Sequence, residues 1–130
     1  RYPFLLIDKV IDILKNESAI GIKNVTVNEP YFTGHFPTLS VVPGVLQIES
    51  LAQTAAVLVA KSLDISDPSA LVLLTTIDNA KFRKPVVPGD VMALSVSVQK
   101  IRNKLWKFKG EVIVDTQRVS ECEFSAMMRI

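Results

Sequence analysis

One segment, residues 45–63, reads VLQIESLAQTAAVLVAKSL and predicts the one long helix of this chain. It contains neither glycine nor proline, and it is rich in leucine, alanine and glutamine, which favour the helical backbone. Pro43 lies just ahead of the segment, where a first turn tolerates proline. On a helical wheel, the polar side of this helix contains Gln47, Ser50, Gln53, Thr54 and Lys61. The apolar side contains Val45, Ile48, Ala52, Ala55, Ala56 and Val59.

The sequence on both sides of this helix predicts strands. Residues 1–27 have an extended pattern with a turn at 15–18, whereas the prolines and glycines of residues 30–44 predict an irregular segment. Further strands are predicted at 70–76, 91–101, 105–114 and 119–128. Their short connections favour antiparallel pairing. We therefore expect a single α+β domain over residues 1–130, with one long helix and an antiparallel sheet of five or six strands.

The composition sets limits on the class of protein. Hydrophobic residues make up 48% of the 130 residues, which suggests extra buried surface such as a subunit interface. A net charge of +2 is too small to indicate nucleic-acid binding. No apolar run approaches the roughly 18–20 residues that span a bilayer.

Cys122 has no partner for an internal disulfide, which is compatible with a reducing compartment. Because the first residue is Arg1, we expect the natural chain to start upstream, and a removed targeting segment is compatible with this.

Glu49 is the anomaly of the predicted helix. Its helical neighbours are Val45, Ala52, Gln53 and Ala56, so it does not join the polar side of the wheel. A carboxylate on a wall of small apolar side chains is costly unless it is paired or protonated. The small alanines also leave room for another molecule to approach. The alternative is that Glu49 lies at the edge of this wall and reaches water, as most glutamates do.

His35 is the only histidine, and histidine is the side chain whose ordinary pKa lies nearest neutrality. Gly34 before it and Pro37 after it shape the local backbone. A lone loop histidine is often incidental, and His35 with the distant Cys122 is a poor match to a zinc site. The chain has no nucleophile elbow, dinucleotide fingerprint or P-loop.

Two blocks of sequence resemble a known family. Residues 28–37, NEPYFTGHFP, and 42–53, VPGVLQIESLAQ, are similar to the signature of the hotdog-fold (3R)-hydroxyacyl-acyl-carrier-protein dehydratases of type II fatty-acid synthesis. Three further blocks also resemble the family: 1–8, RYPFLLID, its early strand; 77–90, IDNAKFRKPVVPGD, its later strand and turn; and 123–127, EFSAM, its last strand. Residues 38–42, TLSVV, depart from the family's usual GKPVM but keep its length.

The resemblance implies a hotdog fold, in which the sheet wraps around the central helix. It implies dehydration of (3R)-3-hydroxyacyl-acyl-carrier-protein to the trans-2-enoyl product, with His35 as base and Glu49 as acid. The backbone N–H of Gly44 would bind the thioester oxygen. Glutamate at position 49, rather than aspartate, favours a plain dehydratase over the relatives that also isomerise the double bond. No metal or organic cofactor is expected.

The resemblance also implies partners. We expect a homodimer whose sheets join edge to edge, commonly three dimers per particle, with His35 of one chain opposite Glu49 of the other. The acyl carrier protein is acidic and bears the substrate on its phosphopantetheine arm. It would dock on Lys81, Arg83 and Lys84, or on Arg102 and Lys104. Each of these cations also suits an ordinary solvated surface. The expected location is a bacterial cytoplasm, with organelles that use type II fatty-acid synthesis as the alternative.

Two other functions fit the same fold, because a fold does not fix function. A hotdog acyl thioesterase would use a carboxylate to activate water and would need no histidine at position 35. A non-catalytic acyl-binding subunit would need neither His35 nor Glu49.

Overall fold

A computed structural model describes residues 1–36, 38–67 and 69–129 of the protein. It contains one α-helix, α1 (Gly44–Ser62), and a short 3-10 helix, η1 (Pro30–Thr33). The strands are β1 (Lys9–Leu14), β2 (Ser18–Asn24), β3 (Leu71–Phe82), β4 (Val91–Arg102), β5 (Leu105–Val114) and β6 (Gln117–Arg129). No helix in these ranges is long and apolar enough to cross a membrane.

The six strands form one sheet in the order β1-β2-β4-β5-β6-β3, and every neighbouring pair is antiparallel. The chain leaves the sheet after β2, forms η1 and α1, and returns as β3 at the opposite edge. Because α1 contacts all of the strands, the sheet curves around it. The predicted α+β arrangement, a hotdog fold with one central helix, is confirmed.

The core lies between α1 and the inner face of the sheet. Leu51 and Leu58 of the helix are fully buried there, as are the large rings of β5 and β6. Phe108 and Phe124 stack with their ring centroids 5.2 Å apart. Burying large apolar side chains of this kind contributes about 1.5–3 kcal/mol each before the entropy of ordering is counted.

Polarity alone does not tell which side of α1 is packed. Val45 is 72% exposed, whereas the polar residues Gln47, Ser50 and Thr54 are buried. Ser50 Oγ donates to the Leu46 carbonyl at 2.8 Å and Thr54 Oγ1 to the Ser50 carbonyl at 3.0 Å, so neither hydroxyl is left unsatisfied. A Cβ on Gly21 of β2 would lie 2.1 Å from Thr54 Oγ1, so this glycine allows the strand to approach the helix.

Three predictions of local structure were wrong in part. Residues 1–8 form no strand, because Phe4 and Leu6 bond to the side chain of Gln53 rather than to a neighbouring strand. The proline-rich segment predicted to be irregular contains η1, with Pro30 at its start. The strand predicted at 70–76 continues to Phe82, with two register shifts against β6 along the way.

Candidate active site

His35 follows η1, and its ring orientation is fixed by one hydrogen bond. The Nδ1 atom lies 2.9 Å from the carbonyl oxygen of Val41. Because a carbonyl can only accept, Nδ1 must carry the hydrogen, and the neutral ring keeps its free lone pair on Nε2. The next residue, Phe36, has φ +35° and places its ring centroid 4.2 Å from that of His35. A positive φ is unusual outside glycine and marks a constrained turn beside the imidazole.

A groove with a volume of about 590 Å³ lies beside His35. Most of its lining is apolar, which suits an acyl or thioester group rather than a sugar or a phosphate. It is lined by the loop before α1, the first turn of α1 and the segment after β3, including Val41, Val42, Gly44, Gln47, Phe82, Arg83, Lys84 and Pro85.

Gly44 is the first residue of α1 and lines this groove. The N–H groups of a first turn have no carbonyl of their own helix to bond, and they carry the positive end of the helix dipole. A Cβ on Gly44 would lie 2.8 Å from the ring of Phe82, closer than side chains pack, so a larger residue would require this exposed ring to move. The helix N-terminus and the imidazole therefore line one groove.

Gln47 also lines the groove, although its position in the sequence does not single it out. Its side chain is buried; Oε1 accepts from Ser120 Oγ at 2.7 Å, and Nε2 donates to the Val42 carbonyl at 3.4 Å. Through these two bonds, Gln47 connects the loop next to His35 with strand β6. On the helical wheel, Gln47 is indistinguishable from a surface glutamine, because its partner Ser120 lies in a distant strand.

Glu49 is half-buried in the second turn of α1 and is not among the residues that line the His35 groove. Its Oε2 accepts a hydrogen bond from Gln53 Nε2 at 3.0 Å. Within the described part of one chain, the groove thus contains His35 and Gly44 without Glu49.

The residues of this chain that are expected to contact the acyl carrier protein differ in their distance from the groove. Arg83 and Lys84 line it, whereas Lys81 lies at the end of β3, opposite Glu121 of β6. Arg83 Nη2 lies 3.3 Å from Glu121 Oε1, and Lys84 Nζ donates to Gln117 Oε1. Burial acts to raise the pKa of Glu121, but the hydrogen bond from Arg83 and the charge of Arg118 outweigh it and lower that pKa below its ordinary value.

The alternative pair, Arg102 and Lys104, lies at the β4–β5 turn. The neighbouring Leu105 pairs with Met127, whereas Ser120, the partner of Gln47, lies further back along β6. This separation of about seven residues corresponds to roughly 20 Å along a strand. The pair is therefore remote from the groove.

Residues 1–123 match the model of a protein family described as the FabA-like domain. The chain belongs to the FabA-like domain family. A relative from Cereibacter sphaeroides, named 3-hydroxyacyl-[acyl-carrier-protein] dehydratase FabZ, is 57% identical over 130 residues, which are 100% of this chain and 84% of that protein. A FabZ from Gluconobacter oxydans, with the same full name, is 56% identical over 98% of this chain and 76% of its own.

Solved structures agree on the fold of this FabA-like chain. One, described as the dehydratase heterocomplex ApeI:P from Xenorhabdus doucetiae, superposes with a TM-score of 0.82 at 18% identity, covering 100% of this chain and 86% of that one. At that identity the likeness supports the shared architecture alone.

Proposed function

We propose that the chain is a hydro-lyase that dehydrates (3R)-3-hydroxyacyl-acyl-carrier-protein to trans-2-enoyl-acyl-carrier-protein in fatty-acid elongation. The observation that carries this function is the 57% identity, over the whole chain, to a relative named as such a dehydratase. The groove agrees with it, because an imidazole with a free Nε2 lies beside a helix N-terminus in apolar surroundings.

In the proposed reaction, His35 and Glu49 divide the acid–base work. His35 Nε2 takes the proton from C2 of the substrate, and the C–H electron pair forms the C2–C3 double bond. The C3–O bond breaks as Glu49 gives its proton to the departing hydroxyl, which leaves as water. Return of the proton from the imidazolium to the carboxylate, through solvent, restores both groups for the next turnover.

Gly44 is proposed to stabilise the charge that develops on the thioester oxygen when C2 loses its proton. The free N–H groups at the start of α1 are donors for that oxygen, and the helix dipole adds positive potential. Since Phe82 packs against the Cα of Gly44, any side chain there would displace the ring that lines the groove.

The site is proposed to be completed by a second copy of the chain. Glu49 is outside the groove of its own His35, so the acid has to reach that groove from elsewhere. β3 is the last strand of the sheet and exposes Leu71, Leu73, Leu74 and Ile77. An edge-to-edge dimer through β3 would cover these side chains and place His35 opposite the partner subunit's Glu49. Three such dimers would form the full particle.

Acyl carrier protein is proposed to dock beside the groove, so that its phosphopantetheine arm enters next to Gly44. Arg83 and Lys84 are the cations that line the groove, and Lys81 lies two residues before Arg83. The relatives that share this sequence over its whole length are bacterial, which supports a bacterial cytoplasm as the location.

A direct assay tests this function. Purified protein is given 3-hydroxybutyryl-acyl-carrier-protein or its coenzyme A analogue, and enoyl thioester absorbance is followed beside a free-thiol reagent. We expect enoyl product without thiol release, and loss of product in His35→Ala and Glu49→Gln with assembly unchanged. The exposed variant Gln99→Met is the control. Thiol release without enoyl product would instead identify a thioesterase.

A further inference from the structure

Gln53 lies one helical turn after Glu49, and its amide group makes three hydrogen bonds. Its Oε1 accepts from the backbone N–H of Leu6 at 2.8 Å. Its Nε2 donates to the carbonyl of Phe4 at 2.8 Å and to Glu49 Oε2 at 3.0 Å. One side chain therefore connects the carboxyl group of Glu49 to the N-terminal strap, which we define as residues 4–7.

The orientation of this amide follows from its partners alone. A backbone N–H can only donate, so the atom that faces Leu6 must be the oxygen. A backbone carbonyl can only accept, so the atom that faces Phe4 must be the nitrogen. Nε2 has two hydrogens, and the Phe4 carbonyl and Glu49 Oε2 take one each. The amide cannot flip without losing both bonds to the strap.

The fixed amide favours one oxygen of Glu49 as the site of its proton. Nε2 donates to Oε2, and the carbonyl oxygen of a carboxylic acid accepts a hydrogen bond better than its hydroxyl oxygen does, so this bond favours Oε2 as the carbonyl oxygen. The acid form of Glu49 therefore carries its proton preferentially on Oε1. The strap is itself held in place, since the side chain of Leu6 is only 4% exposed.

We propose that Gln53 is a positioning residue that fixes the carboxyl group of Glu49 and presents Oε1, with its proton, to the substrate hydroxyl. The inference rests on the proposed role of Glu49 as the acid. Gln53 holds Oε2 from one side and the strap holds Gln53 from the other. The N-terminal strap, far from Glu49 in sequence, is thereby part of the catalytic apparatus.

The first test is Gln53→Met, which keeps the length of the side chain and removes its three hydrogen bonds. Misplacing a reacting group by about 1 Å can cost on the order of 100-fold in rate, so we expect kcat to fall about 10- to 100-fold. KM should stay within about threefold, because the groove itself is unchanged. Gln99→Met on β4 is the matched control. A Gln53→Met enzyme that folds, assembles and keeps the kcat of the control overturns the inference.

The second test separates this inference from the role of Glu49. If Gln53 acts through Glu49, adding Gln53→Met to Glu49→Gln should lower the residual kcat no further. A further loss equal to that of Gln53→Met alone would show an independent effect and overturn the inference. Should Glu49→Gln retain the full rate, the role of Glu49 fails and the positioning role fails with it. Loss of activity in Glu49→Gln with an unaffected Gln53→Met overturns the positioning role alone.

A third measurement uses the unaltered amide and does not depend on how Gln53→Met folds. In the native protein, both side-chain hydrogens of Gln53 should exchange with water more slowly than those of the exposed Gln99, as followed by nuclear magnetic resonance. In Glu49→Ala, the hydrogen that faces Glu49 should lose its protection while the other keeps it. Equal exchange at Gln53 and Gln99 in the native protein would contradict the bonding described.

Discussion

At the scale of single residues, the buried pair of Ser120 and Gln47 should contribute measurably to stability. Ser120→Ala leaves Gln47 Oε1 buried without its donor, which costs about 1–3 kcal/mol in the free energy of unfolding. Urea unfolding at fixed protein concentration, followed by fluorescence of the buried Trp106, measures the loss. Ser97→Ala, at an exposed position of β4, is the matched control. Equal effects of the two substitutions would show that the hydrogen bond contributes nothing.

Cys122 should be unreactive in the folded protein. Burial, followed by the charges of Glu121 and Glu123, raises the pKa of its thiol to about 11. A raised pKa leaves very little thiolate at pH 7.5, and the thiolate is the form that reacts with thiol reagents. We expect almost no labelling of the native protein over a period that suffices for complete labelling in denaturant. Rapid labelling of the folded protein would contradict this prediction.

Whether a residue could be singled out from the sequence depended on how close in sequence the residues around it are. His35 and Glu49 stand out through their immediate neighbours, and the family resemblance gave them roles that still await the proposed assays. Gln47 and Gln53 could not be singled out, because their partners are 73 and 47 residues away and exist only after folding. A helical wheel predicts which residues share a side of the helix, but it does not identify what covers that side.

At the scale of elements, Lys23 should anchor the segment that leads from β2 to η1. Its side chain is buried, and Nζ lies 3.1 Å from Glu29 Oε2, which also accepts from Thr26 Oγ1. Removing one partner of a buried ion pair costs about 3 kcal/mol, so Lys23→Met should lower the free energy of unfolding by that amount. Lys15→Met breaks the exposed pair with Asp64 and should cost under about 0.5 kcal/mol. Urea midpoints that fall equally in both variants would rule out this anchor.

Most elements could be predicted because their patterns are regular. The bounds predicted for β5 agree with the structure, and those of α1, β4 and β6 differ by no more than two residues. β3 was predicted too short because the apolar run ends before its second half, which carries the charged residues Asp78 and Lys81. Its pairing with β6 also shifts register twice, the second time between these two residues. The N-terminal strap was mistaken for a strand because its apolar run resembles that of a buried strand, and the sequence does not show that its backbone bonds to the Gln53 side chain.

At the scale of the whole molecule, the exposed edge of β3 predicts a dimer. Leu73 and Ile77 are each 46% exposed on a strand with no second neighbour in the described sheet. Long apolar edges of this kind are normally covered. Ile77→Lys should therefore produce monomers in sedimentation experiments and abolish dehydration, because each site would lose the partner's acid. Leu14→Lys, at the exposed end of the opposite edge strand β1, is the control. An active Ile77→Lys monomer would show that one chain suffices.

Subunit mixing tests whether the site is shared between two chains. Each of His35→Ala and Glu49→Gln alone should be inactive, because both sites of its dimer lack one group. After unfolding and refolding of an equimolar mixture, half of the dimers are mixed, and each mixed dimer has one intact site. The mixture should therefore recover about a quarter of the wild-type rate. Mixing His35→Ala with the double variant His35→Ala/Glu49→Gln creates no intact site and is the control. If the first mixture stays as inactive as this control, His35 and Glu49 do not act across a dimer interface.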